Sequence, residues 1–384
     1  MSEPPAGPGG PYGPPHYPVQ GQPPPYPLYP PAQPQPYAQP AYPRTYAQPS
    51  PPQGAYPPPP SWTPQPRPTF PHPEPREYHE MYRTWTYAWW RPVVGILLLL
   101  LGMLVVLPLI ALPVLIVGVL IENGQDGFLD AFLEAGSFQK LTPSGLLFLN
   151  LSLGGMILWT WGLVRVLHQM RPRWLSSVVP RLRWKYLLAC FGLAVIALVA
   201  QLVVGMLVPQ SGNPEMDGGT NPVNATTIAL AVVILLTTPL QAAGEEYAFR
   251  GYLMQAVGSL TRRRWVALIV TALLFAVAHG FQNFPLFFDR FMFGLIAGWL
   301  VIRTGGLEAG IAMHVLNNYL AFGLALVFGD IGETLTVSEV SWWNIPVTLT
   351  QSIVYAGLAA WVAKAMRLQR RTAPPALEPL LSPG

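Results

Sequence analysis

Ile228-Ala229-Leu230-Ala231-Val232-Val233-Ile234-Leu235-Leu236-Thr237-Thr238-Pro239-Leu240 is uncharged and apolar enough to sit in lipid, yet five residues later it runs into Glu245-Glu246-Tyr247-Ala248-Phe249-Arg250. Two carboxylates and a guanidinium at the end of such a segment cost roughly 2.5–3.5 kcal/mol each if they lie at a helix centre in a bilayer. That cost is tolerated mainly where the groups pair with one another or face a cavity. The apolar segments that follow supply a few polar partners: His279, His314 and Asn318. The chemistry of the chain is expected at these residues.

Working outward, composition supports a membrane body. Half of the 384 residues are hydrophobic and 10% are charged, well below the roughly 25% usual for soluble domains. Most of the 46 prolines precede residue 76, so the chain divides into a polar, proline-rich tail and a very apolar body. The net charge of +4 does not point to nucleic acid, because the basic residues cluster at the ends of apolar runs, where membrane orientation signals lie. Cys190, the one cysteine, forms no intrachain disulfide and reads as a small core residue.

The body holds about eight apolar spans, at approximately 92–121, 144–167, 186–208, 225–250, 265–280, 287–302, 307–328 and 343–365. Pro108 and Pro113 should kink the first. The fold class is therefore all-α, a polytopic membrane protein. Acidic links carrying Glu122, Asp126, Asp130 and Glu134 against Lys140, then Glu215 and Asp217, then Asp330, Glu333 and Glu339 alternate with basic ones. The basic links carry Arg165, Arg171, Arg173, Arg181, Arg183 and Lys185, then Arg262-Arg263-Arg264, Arg303, and finally Lys364, Arg367, Arg370 and Arg371. This alternation places both termini in the cytoplasm, with a bacterial plasma membrane the expected location.

Four regions are expected: a disordered cytoplasmic tail at 1–80, an interfacial segment with the first three spans at 81–224, a catalytic core at 225–330, and the last span with a C-terminal tail at 331–384. Runs such as Pro23-Pro24-Pro25-Tyr26-Pro27 cannot bury enough apolar surface to fold and suit polyproline II. The tail is read as a solvated spacer or a docking arm for other proteins. No charged and then apolar opening marks a cleaved signal peptide. The aromatics and arginines of Met81–Arg91 read as an interfacial belt. Gly154-Gly155, Gly294, Gly298, Gly305-Gly306 and Gly310 are either points of close helix approach or lipid-tolerated glycines without a specific contact.

In a helix, Glu246 and Arg250 are four apart on one face and can pair, while Glu245 points about 100° away. Arg250 can then hold Glu246 and leave Glu245 free to take a proton; an interfacial ion cluster is the plainer alternative. His279 ends an apolar run, as core or interfacial histidines do. His314 and Asn318 share a helical face and suit either a site or interhelical hydrogen bonding. Taken together, one carboxylate with two imidazoles is a set that activates water, directly or through a metal. An amide beside an imidazole can stabilise an oxyanion.

Glu245-Glu246-x-x-x-Arg250, Phe275-x-x-x-His279 and His314-x-x-x-Asn318 resemble, in order, the three motifs of the CPBP family of intramembrane proteases (CAAX protease and bacteriocin-processing, or Abi). The resemblance covers about residues 225–330. It implies a cavity open to the cytoplasmic side in which Glu245 and His279 activate a water, His314 and Asn318 bind the oxyanion, and Arg250 and Glu246 shape the site. It leaves two mechanisms open: zinc held by Glu245, His279 and His314, or metal-free glutamate chemistry. A peptide or membrane-anchored protein within the lipid bilayer is the expected substrate. A non-catalytic membrane scaffold or immunity protein of the same fold is the alternative, and a proton-coupled transporter a third reading. One difficulty is depth. A span starting at Trp265 puts His279 about 21 Å along its helix, whereas Glu245 looks closer to the cytoplasmic edge; the expected resolution is both that this span starts below the membrane surface and that the Glu245 helix tilts and runs on through Leu260. Asp289 and Arg290 either pair with each other or line the cavity.

Overall fold

A computed structural model describes residues 71–138, 141–209, 220–280, 282–329 and 335–375. The chain divides into Met1–Thr63 and Pro64–Gly384, and the first unit lies outside the described residues. So does the rest of the proline-rich tail up to residue 70, with its expected disorder and docking role. Lys140, Glu215, Asp217, Asp330 and Glu333, which entered the orientation argument, also lie outside them.

Apolar runs of bilayer length leave the backbone no solvent partner, so they satisfy it internally as helices. Among the described residues the body is helical throughout, with only two isolated β-bridges, Glu77 with Arg371 and Ser177 with Gly306. Nine helices matter here: α1 Trp90–Asn123, α2 Phe128–Ser137, α3 Pro143–Leu167, α4 Trp184–Leu207, α5 Ala225–Thr261, α6 Arg264–Val277, α7 Phe284–Thr304, α8 Glu308–Phe328 and α9 Asn344–Ala365. Seven of them are long and apolar enough to cross a membrane, and the chain is a multi-pass membrane protein. The expected fifth span is α6, whose 14 residues reach about 21 Å, short of the roughly 30 Å hydrocarbon core.

Local signals explain the boundaries. Thr142 caps α3 by accepting from the Gly145 N–H at 3.1 Å, with Pro143 at the first position where its missing N–H costs nothing. Asn224 and Asn283 cap α5 and α7 in the same way. α1 runs on as helix through Pro113 and carries a π turn at Gly102–Val106, just before Pro108. There Gly102 lies so close to the Trp159 indole that a Cβ would stand 2.1 Å from Nε1.

The helices form a closed series of neighbours, α1–α3–α5–α8–α4–α9–α7–α6, and the last part of α5 closes it against α6. α4, α6 and α8 begin, and α7 and α9 end, at one end of the bundle. A clamp there joins two of them: Glu308 at the start of α8 accepts from the Arg183 backbone at 2.9 Å, from Nε at 2.8 Å and from Nη2 at 2.5 Å, while Arg183 Nη1 donates to the Thr304 carbonyl at 2.7 Å.

One boundary differs from the sequence reading. Residues 71–80, assigned there to the tail, pack into the body with Met81 and Tyr82. His72, Tyr78 and His79 are buried, and the Tyr78 hydroxyl donates to the Leu175 carbonyl. This strap lies on α5 at Gly258, where a Cβ would meet the His79 carbonyl oxygen at 2.1 Å. A few large side chains anchor it, and the surrounding prolines conceal them in any compositional average. The aromatic belt accordingly splits: Trp85, Trp89 and Trp90 stay exposed while Met81 and Tyr82 turn inward.

Candidate active site

α5 positions the carboxylates. It is one continuous 37-residue helix interrupted by Pro239 and by a π segment at Glu246–Leu253, the kind of local rewinding common at functional sites. Because it runs on to Thr261, Glu245 lies sixteen residues before its end. His279 lies fifteen residues beyond the start of the antiparallel α6. At 1.5 Å per residue both are about 22–24 Å from the connecting turn, and the depth difficulty disappears.

Glu246 is fully buried and pairs with the buried Arg250, Nη1 to Oε1 at 3.0 Å. The guanidinium carbon of Arg250 lies 4.0 Å from the Phe275 ring centroid and 5.6 Å from that of Phe293, so two aromatic faces take part of its charge. Glu246 Oε1 also accepts from His314 Nδ1 at 3.0 Å. That bond puts a proton on Nδ1 and turns Nε2 toward Glu245, whose Oε2 is 3.7 Å away. This separation is too long for a direct hydrogen bond.

Glu245 is held from its own helix: Gln241 Nε2, one turn earlier, donates to Oε1 at 2.5 Å. Gln241 Oε1 in turn accepts from Asn318 Nδ2 at 3.0 Å. His279 Nδ1 donates to the Phe275 carbonyl at 2.8 Å, which leaves Nε2 as its acceptor nitrogen. Gln241, Glu245, His279, Arg290, His314 and Asn318 all line one cavity of about 350 Å³. Phe249, Phe275 and Phe293 supply its apolar walls. Arg250 and Glu246 sit behind the wall, gripping His314 from the rear.

All six residues singled out from the sequence therefore belong to one cluster drawn from α5, α8 and the end of α6. Of the Asp289–Arg290 alternatives, Arg290 lines the cavity, while Asp289 interacts both with Arg290 and with Thr348 of α9. Among the described residues no group of three or more His, Cys, Asp or Glu side chains is gathered closely enough to hold a metal ion. Glu245, His279 and His314 thus do not form a ready three-ligand set.

Sequence reasoning missed Gln241, and it read Gly310 as a close-approach or lipid-tolerated glycine without tying it to the site. Each lies four residues before a motif residue, Glu245 and His314, and so shares its helical face; that spacing was the available signal. A Cβ on Gly310 would stand 2.5 Å from Glu246 Oε2, so only glycine lets α8 approach the buried carboxylate. Gly154, Gly294 and Gly298 are likewise points of close approach. Asn150, also on the cavity wall, donates to Thr237 at 2.8 Å and keeps its Oδ1 unpartnered.

Residues 226–320 match the family model described as type II CAAX prenyl endopeptidase Rce1-like. The chain is 30% identical over 149 residues to the uncharacterized protein YyaK of Bacillus subtilis, covering 36% of this chain and 50% of that protein. It is 33% identical over 104 residues to an uncharacterized 24.3 kDa protein of Escherichia coli, covering 27% of this chain and 45% of that one. The chain thus spans about half the length of the curated relatives it matches. No solved structure matches it. The family model and the three ordered motifs coincide, so over these residues the membrane core is similar to the Rce1-like endopeptidases of the CPBP family.

Proposed function

We propose that this core is an intramembrane endopeptidase that hydrolyses a peptide bond near the cytoplasmic membrane face, both termini of the chain lying on that side. The observation that carries the reading is the Glu245 carboxylate, fixed by Gln241 at 2.5 Å and facing His314 Nε2 at 3.7 Å, in a cavity shared with His279 and Asn318. A carboxylate held by a neutral amide donor keeps its second oxygen for a water proton.

A water between Glu245 Oε2 and His279 Nε2 gives up its proton to this pair as its oxygen bonds to the scissile carbonyl carbon. The carbonyl oxygen becomes an oxyanion. His314, gripped at Nδ1 by Glu246, turns Nε2 to that oxygen. Asn318 adds the N–H that it does not spend on Gln241. Such aimed donors are the largest common source of rate enhancement in acyl transfer. As the tetrahedral centre collapses, the C–N bond breaks and the amine nitrogen takes the proton held by Glu245 and His279. Arg250 keeps Glu246 charged within an apolar wall and thereby keeps His314 oriented.

The substrate is a peptide or membrane-anchored protein, since the cavity opens among membrane helices. The test compares membrane peptidomes from cells carrying wild-type and Glu245→Ala protein, each with and without chelator. Cleavage products present with wild type and lost in the variant, at equal protein level, support the reading. Identical peptidomes would reject it and leave a scaffold. Loss of products on chelation would assign Glu245, His279 and His314 to zinc.

A further inference from the structure

A second cavity, sharing no lining residue with the first, lies where α6 begins, α7 ends and the chain emerges from α9. It has a volume of about 600 Å³. Arg264, Arg303, Arg370 and Arg371 line it against one carboxylate, Glu77. Glu77 is already engaged, accepting from Arg371 Nη2 at 2.8 Å. No ion pair among the described residues involves Arg264, Arg303 or Arg370. Three unpaired guanidinium groups facing one recess repel each other unless an anion sits between them, and their planar forks match phosphate oxygens.

The rest of the wall is apolar: Trp265, Leu268, Trp299 and Ile302. A free anion has no use for such a surface, but a lipid does. From Trp265 the exposed side of α6 continues one turn at a time through Ile269 and Leu273, a track for an acyl chain beginning at the arginines. Tryptophans beside arginines are also the side chains that settle at headgroup level. α6 is itself too short for the hydrocarbon core, so the bilayer thins or dips toward it. Arg303 and Arg370 additionally line an adjoining recess with Lys364 and Arg367, which extends the positive field.

We propose that this cavity is a binding site for an anionic glycerophospholipid, its phosphate among Arg264, Arg303 and Arg370 and one acyl chain along α6. Basic recesses between transmembrane helices bind such headgroups by the same balance of charge and depth. The strap and the C-terminal segment, tied by Glu77–Arg371 and by the Arg76 N–H to Thr372 Oγ1 at 2.9 Å, form one rim of the recess. The site stands independently of the peptidase reading.

The test uses the full chain in phosphatidylcholine nanodiscs into which phosphatidylglycerol is titrated, with bound lipid counted by native mass spectrometry. Wild type should retain phosphatidylglycerol in preference to phosphatidylcholine. Arg264→Gln with Arg370→Gln changes two exposed side chains, of which Arg264 also lies over the Trp265 ring at 5.3 Å, and should weaken retention about 30-fold in a protein whose thermal midpoint in detergent stays at the wild-type value. Arg264→Lys with Arg370→Lys should restore most of it, and Arg165→Gln, at another link, should change nothing. Equal retention by the Gln pair and wild type would overturn the proposal. So would displacement of the lipid by inorganic phosphate alone, which would make this a site for free anions.

Discussion

Two buried carboxylate–arginine pairs sit in the same bundle and are built to opposite specifications. Glu308 and Arg183 satisfy each other completely: three donors of Arg183 reach the carboxylate and the fourth group finds the Thr304 carbonyl. Glu246 and Arg250, drier still, share one contact at 3.0 Å; Glu246 Oε2 has no hydrogen-bond partner and neither terminal nitrogen of Arg250 makes a well-aligned bond. Arg250 leans on Phe275 instead. The first pair spends its bonding capacity on holding helix ends together. The second keeps capacity in reserve, beside the side chains proposed to do chemistry. Incomplete satisfaction of a buried charge is a better pointer to function than burial itself.

Removing one carboxylate charge from each pair breaks the comparison most sharply. Glu308→Gln strands the Arg183 charge and should destabilise the protein by about 3–5 kcal/mol, read as a large drop in thermal midpoint in detergent, while whatever folds still cleaves. Glu246→Gln should cost less stability, because Phe275 and Phe293 still face Arg250, yet it should abolish cleavage by freeing His314. If the two variants lose stability and activity in the same proportion, the distinction between the pairs is wrong.

That distinction was only half legible in the sequence. Glu246 and Arg250 announce themselves by standing in an apolar run four residues apart. Arg183 and Glu308 do not: they are 125 positions apart, and each looks like one more charge in a link. The long apolar helices were legible because bilayer length and lack of charge leave a chain few options. α6 was legible as an apolar run at 265–280 but not as a helix of 14 residues, since it merges in sequence with the polar turn that follows. The strap was hidden by proline content, and its anchors become visible only when Tyr78, Met81 and Tyr82 are seen filling the body. Gln241 lay in plain view one turn before Glu245, but a lone glutamine in an apolar helix carries no meaning until the helix beyond it is known to bring Asn318 within 3.0 Å.

Acid separates a third kind of buried polar contact, one that works without charge. His72 donates Nε2–H to the Met81 carbonyl at 2.8 Å, and His168 Nε2 meets the Tyr252 hydroxyl at 2.9 Å while stacking on Tyr82. Burial pushes His72 down to about 4, with the Met81 bond opposing it and Arg76 assisting; burial and the nearby Arg91 push His168 down to about 3. Burial also lowers His79, against the pull of Glu80 and Glu77. Above pH 6.5 these groups are neutral whether the strap is docked or free, and they contribute no pH dependence. Below it the free strap takes up protons that the docked one refuses, so docking weakens as pH falls toward 4. For His72 alone the loss is about 3 kcal/mol by the end of that window. Hydrogen exchange at residues 71–82 should accelerate steeply between pH 6.5 and 4, and His72→Gln should flatten the response. An unchanged exchange rate would mean that the strap is held by its tyrosines alone.

The finest probe of the reserve held at Glu246 is a single methyl group. Gly310→Ala places a carbon 2.5 Å from Oε2 of Glu246, closer than any Cβ contact, so either α8 withdraws or the carboxylate turns. The cost in stability should be about 1–3 kcal/mol, as for other overpacked interiors. The cost in cleavage should be larger in proportion, about 100-fold, because turning Glu246 moves His314 and a shift near 1 Å at a positioned group is enough for that. Gly323→Ala, thirteen residues along the same helix where a Cβ meets nothing within 4 Å, should raise helix propensity and leave cleavage unchanged. If both alanines are silent, the fit of α8 against Glu246 does not govern His314, and the buried pair is a structural clamp of the same kind as Glu308 and Arg183.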